Sequence, residues 1–323
     1  MSINQLPFSF KRMDASTIEE NFSSRSGELK MGEYCSSITL EEADFVIIGI
    51  SESIGPKANF GRQGAENTFR TFLPYFLSTQ ANSNLKIHML GEISIPNNSD
   101  TLSAQELVPA LDEYVLSVLN EYIQPHQIPI VIGGGHNNAL PLIHWSAKFH
   151  SDLAVLNLDA HADCRSTEVR HSGNSFSFAL ESGILKKYAV LGLHEAYLNP
   201  SVLEFFQKYQ CTYSLYEDYL DGRSLLSDLE LFMNSLETNQ TLGIEIDMDA
   251  IANMPSSAQS PSGWRFDEVR TYLRKIASSH QNIPYLHLTE AAPINESDDR
   301  IVGKALAYLV IDFSTQYCLK RVR

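Results

Sequence analysis

Eight short apolar and β-branched runs recur along the chain, at 44–50 (DFVIIGI), 86–90, 129–133 (PIVIG), 153–158 (LAVLNL), 188–193, 211–216, 242–248 (LGIEIDM) and 284–288. Near-continuous apolar runs, without strict alternation, are typical of strands in a sheet covered on both faces. Between them, 104–122, 137–149, 199–209, 223–237, 266–279 and 299–314 carry apolar residues at helical spacing. This alternation predicts a doubly wound, mostly parallel α/β sheet, with its functional loops gathered at the carboxyl ends of the strands. The first 40 residues are less regular, and 92–103 (EISIPNNSDTLS) reads as a polar surface loop before a helix start. No repeat or Pro/Gly-rich linker divides the chain, so 1–323 is expected to form a single domain.

Composition narrows the functional classes. With 24 Lys and Arg against 39 Asp and Glu, the net charge of −15 sets a repulsive average field against nucleic acid and acidic membranes. Neither is expected as a partner. Cys35, Cys164, Cys211 and Cys318 are scattered without a paired motif, which suits reduced thiols and a reducing compartment. The N-terminus lacks the apolar core of a signal peptide and no run approaches a membrane span, so a cytoplasmic location is expected.

Three strand ends carry the chemistry. DAHAD (159–163) follows LAVLNL directly, and alternation along an extended chain would turn Asp159, His161 and Asp163 the same way. DMD (247–249) closes another run, so Asp247 and Asp249 share a face by the same parity. GGGH (133–136) places His136 after glycines that permit a sharp exit from PIVIG. Four carboxylates converging at one sheet edge repel one another unless cations compensate them, and an oxygen-rich set with two imidazoles suits Mn²⁺. A pair of ions about 3.5 Å apart acidifies a shared water, so the implied chemistry is metal-assisted hydrolysis.

In the order GGGH, DAHAD, DMD, over about residues 44–315, the chain resembles the ureohydrolase superfamily of arginases, agmatinases and formimidoylglutamases. The resemblance implies two Mn²⁺ ions per chain, with His136 and Asp163 on one, His161 and Asp249 on the other, and Asp159 and Asp247 bridging. It also implies a three-layer α/β/α sandwich around an eight-stranded parallel sheet, a small cationic amidine or guanidine substrate, and a homo-oligomer. Glu290, in HLTEAAP, matches a family carboxylate that contacts the cationic amidine or guanidine group; its plainer reading is a helix-start acid. Ser172, Gly173 and Asn174, in RHSGN, resemble the loop that receives the amino-acid end of the substrate, and also read as an ordinary turn.

Within the superfamily, NFGRQGA (59–65) and GGGH look most like formimidoylglutamases. Arg62 is then a candidate for binding a substrate carboxylate, or equally a structural loop arginine. Two departures set the chain apart from arginases: Phe176 stands where a proton-shuttle His is found, and Ala250, Ile251 and Ala252 follow DMD without an Asp-Pro. His171 is a candidate substitute for the shuttle; its alternative is a histidine at the surface or one that supports the metal-binding side chains from behind. The expected activity is hydrolysis of N-formimino-L-glutamate to L-glutamate and formamide. An arginase-like, urea-releasing hydrolase and a catalytically impaired binding homologue are the alternatives.

Overall fold

The computed structural model describes residues 7–95, 103–280 and 282–321. Nine strands make one sheet: β1 (Ser9–Arg12), β2 (Phe45–Ser51), β3 (Ile87–Ser94), β4 (Ile128–Ile132), β5 (Ala154–Leu158), β6 (Lys187–Leu193), β7 (Thr212–Leu215), β8 (Leu242–Asp247) and β9 (Leu286–Thr289). Their order is β1-β3-β2-β4-β9-β8-β5-β6-β7. Every pairing is parallel except that of β1 with β3. All eight apolar runs became strands. The ninth, β1, corrects the expected count of eight: its SFKR sequence is mostly exposed and too short and polar to stand out as a run.

Helices cover both faces because successive strand residues point to opposite sides. In β2, Phe45 and Ile47 join one buried cluster, whereas Val46, Ile48 and Ile50 join the other. Burying each such side chain stabilises the fold by roughly 1.5–3 kcal/mol. All six helical segments read from the sequence are present, the last extended to Glu296–Arg321. The spacing missed the helix Thr68–Leu77, which buries Phe69, Phe72, Phe76 and Leu77 despite carrying Pro74 inside it. Ordinarily a proline argues against a helix interior, and tertiary burial overrides it here.

The loop expected at 92–103 is corrected in part. Strand β3 continues through Ser94, with half-buried Glu92 and Ser94 alternating with buried Gly91 and Ile93. Residues 96–102 lie outside the described residues. Among the described residues no helix is long and apolar enough to cross a membrane.

Candidate metal centre

Four adjacent strands at the middle of the sheet, β4, β9, β8 and β5, end at one edge, and each delivers acidic or imidazole groups there. Beyond β4, the chain turns through Gly133 (φ +86°) and Gly134 (φ +72°), left-handed conformations that L side chains rarely adopt. Glu52, buried, holds this turn: one carboxylate oxygen accepts from the Gly135 N–H and the Asn138 amide, both at 2.7 Å. His136 is thereby set at the sheet edge, and its main-chain N–H donates to Glu290 Oε1 at 2.6 Å. Glu290 follows β9 directly and, like Asp163, is a non-glycine residue with positive φ (+62° and +46°). Such backbone conformations are costly and collect at functional sites.

The extended-strand parity read from the sequence holds only in outcome. Strand β5 stops at Leu158, so DAHAD is irregular, and Asp249 lies in a short 3₁₀ turn, Met248–Ala250. Hydrogen bonds aim the groups instead. Asp159 Oδ1 accepts from the His161 N–H at 2.7 Å, and its Oδ2 accepts from Asn157 Nδ2 at 2.9 Å. Asp247 Oδ1 accepts from the Asp249 N–H at 2.7 Å, and Asp249 Oδ1 from the Ala258 N–H at 2.9 Å.

The six side chains converge. His136 Nδ1 lies 2.8 Å from Asp163 Oδ2, 3.1 Å from Asp247 Oδ2 and 3.3 Å from Asp159 Oδ2. One ligand atom from each of these four residues lies within 4.8 Å of the others. His161 Nδ1 lies 3.6 Å from Asp159 Oδ1 and 3.7 Å from Asp249 Oδ2, so Asp159 turns one oxygen towards each imidazole.

Charge argues that this set fits a cation. Close as it is to three carboxylates, His136 Nδ1 forms no hydrogen bond of acceptable geometry, which is the arrangement of groups facing a common point rather than one another. Burial pushes the Asp247 carboxyl well up, and the Asp159 and Asp249 charges push it further. Glu290 is raised to about 8 by burial and then by the charge of Asp249. Burial would depress both imidazoles, but carboxylate contacts dominate: those with Asp159, Asp163 and Asp247 raise His136 strongly, and Asp159 raises His161 to about 10. The protein alone therefore gathers protons where divalent ions would supply the same positive charge.

A cavity of about 190 Å³ opens onto this edge, lined by His161, Asp163, Asp247, Asp249 and Glu290 and also by Asn59, Arg165, Ser172 and Tyr197. Of the candidates for binding substrate, Ser172 and Glu290 line it. Arg62 does not: its guanidinium donates to the Ser256 and Ala292 carbonyls at 2.8 and 3.1 Å, the structural alternative. Asn174 is fully buried, its amide donating to the Ser166 and Val169 carbonyls and its oxygen accepting from Arg170 and the His171 N–H. It shapes the loop instead of facing the cavity. His171 is half-buried, its Nδ1 accepting from the Gly173 N–H at 3.1 Å, and it too is absent from the cavity wall. Phe176 is buried in the core, its ring edge-on to His136 at 5.2 Å and stacked on Tyr188 at 4.3 Å.

Arg165 was missed by sequence reasoning, although it sits two residues beyond Asp163. Its exposed side chain lines the cavity, and its main chain is tied to the RHSGN loop, the Arg165 N–H donating to the Gly173 carbonyl at 3.0 Å. Glu52 was missed because its role is to hold backbone N–H groups, for which no side-chain spacing gives a sign.

Known proteins agree with this architecture. A family model described as the arginase family matches residues 43–314. A formimidoylglutamase from Rhodococcus jostii is 30% identical over 79% of this chain and 79% of its own length. Another, from a Geobacillus species, is 26% identical over 92% of this chain and 91% of its own. Among solved structures, Trypanosoma cruzi formiminoglutamase with Mn²⁺ superimposes with a TM-score of 0.73 at 22% identity, covering 90% of this chain and 99% of that one. Formimidoylglutamase from Bacillus subtilis gives 0.72 at 19%, covering 96% and 94%. The match of family model, relatives and fold leads to one conclusion: the chain belongs to the arginase family of C–N hydrolases.

Proposed function

We propose that this protein is a binuclear manganese hydrolase that cleaves N-formimino-L-glutamate to L-glutamate and formamide. The cavity carries this reading, because it is lined both by carboxylates that include Glu290 and by the exposed residue Arg165. A substrate with a cationic amidine at one end and carboxylates at the other matches that polarity. The names of the curated relatives support the same substrate.

In this proposal His136 and Asp163 would hold one ion, His161 and Asp249 the other, with Asp159 and Asp247 serving both. When bound, the two ions supply Lewis acidity and bring the pKa of a shared water towards neutrality. Glu290 pairs with the amidine N–H groups and holds the amidine carbon over the ligand set, the positioning on which effective molarity depends. Arg165 and Ser172 receive the carboxylate end. Water adds its oxygen to the amidine carbon, the bond from that carbon to the glutamate nitrogen breaks, the nitrogen takes up a proton released by the water, and the carbon leaves as formamide. His171 lies away from the cavity wall, and this proposal gives the transfer to Glu290, which lines the cavity. The cytoplasmic location expected from the sequence and the homo-oligomer implied by the resemblance are also part of the proposal.

Incubating the Mn²⁺-loaded protein with a panel of amidines and guanidines, and measuring formamide, urea and ammonia, tests it. Formamide from N-formimino-L-glutamate is expected. Urea from arginine with no turnover of formiminoglutamate would overturn the substrate assignment.

A further inference from the structure

On the core side of His136 lies a second polar cluster that the proposed reaction does not use. Glu245 and His287 are register partners on β8 and β9, both fully buried. His287 Nδ1 is hydrogen-bonded to Glu245 Oε2 at 2.6 Å, and that same oxygen faces His136 Nε2 at 3.5 Å, an ion-pair distance at which Nε2 closes no hydrogen bond. The His136 ring therefore stands between two carboxylate groups, with Nδ1 towards the three aspartates and Nε2 towards Glu245. A carboxylate in the apolar strand LGIEID is costly to bury, and pairing with His287 alone would not require its oxygen to be shared with His136.

Imidazole chemistry gives the sharing a purpose. A neutral ring binds a metal through one nitrogen only if the proton sits on the other, and a carboxylate at the far nitrogen both selects that tautomer and makes the ligating nitrogen more basic. Among the described residues His161 meets carboxylates only at Nδ1, and its ring is stacked on the exposed Tyr197, with centroids 4.8 Å apart and planes at 19°. We propose that Glu245, held in turn by His287, is a positioning residue that keeps the His136 proton on Nε2 and so strengthens the ion on the His136 side alone. This rests on the reading of the centre as a two-ion site.

Mn²⁺ titration of the full chain, followed by a competing chelator dye and by metal analysis after dialysis, tests it without an activity assay. His136→Ala identifies the class of ion that depends on His136. In Glu245→Gln and Glu245→Leu that class should weaken by about 10–100-fold, more in Leu than in Gln, with the other class within about 3-fold of wild type. Wild-type affinity for both classes in folded Glu245 variants would overturn the proposal, as would equal weakening of both, the mark of a disturbed sheet edge. Should Glu245→Leu fail to fold, the near-isosteric Gln variant decides. Absence of Mn²⁺ binding by the wild-type protein would instead overturn the two-ion reading, and this inference with it.

Discussion

The His136 side and the His161 side of the centre use the same residue types, yet their surroundings differ throughout. The His136 side chain is 0% exposed and meets carboxylate oxygens at 2.8–3.3 Å; that of His161 is 26% exposed and meets them at 3.6 and 3.7 Å. The first is wedged among Phe176, Glu245 and the β4 turn, whereas the second lines the cavity beside Tyr197. Ligand identity therefore says little about how firmly a ligand is held. The core sets one imidazole, and the other faces the open cavity.

The comparison breaks most completely at the residue common to both sides. Asp159→Ala should remove both ions from their proper geometry and lower activity by roughly 10³-fold or more, because the group that acidifies water is lost. Metal analysis of the folded variant checks this, and a wild-type metal content would contradict it. Changes on the cavity side should act on substrate alone. Arg165→Ala is expected to raise KM for a carboxylate-bearing amidine by about 10–100-fold, the worth of a lost charge-assisted hydrogen bond, with metal content unchanged. Arg62→Ala should leave KM near wild type and cost roughly 1–2 kcal/mol of stability, as two carbonyls lose their donor. Steady-state kinetics and thermal melts separate the two arginines.

The smallest effect concerns the metal-free protein. Glu290 rises from 4.5 to about 8 on folding, so its contribution to stability is whole below pH 4.5 and is lost as pH climbs through 8. His161 has the same sign, with its window running from 6.5 to about 10. For Asp159 the sign is opposite: burial pushes it up, contacts with His136 and His161 outweigh that and hold it below its ordinary value, and its contribution is lost only in acid. The metal-free melting temperature should thus fall between about pH 5 and pH 9, by roughly 1–2 °C per kcal/mol lost, while the gain on adding Mn²⁺ grows. A metal-free melting temperature that rises over this range would count against the charge balance described.

The sheet and the six-residue constellation were legible because both are written in spacing. Apolar runs mark strands, and DAHAD, DMD and GGGH fall where such runs end. The residues that aim them were not. Glu52 acts through the Gly135 N–H from another strand end, and Glu245 and His287 meet only because β8 and β9 pair in that register. Nor could the chain say which loop arginine faces the cavity, since Arg62 and Arg165 are equally polar and only the packed loops turn one to carbonyls and the other to open space.

The placement of the ligands at the ends of β4, β9, β8 and β5 also bears on how the protein assembles. The N–H of His136 and the carboxylate of Glu290 that accepts from it are separated by 154 positions in the chain. Contacts of that span form late, because the loop they close must first surrender its freedom. On the proposed two-ion reading, a nascent or refolding chain would have no finished cradle for manganese until the middle of its sheet has paired, and ion uptake would follow the pairing of those strands.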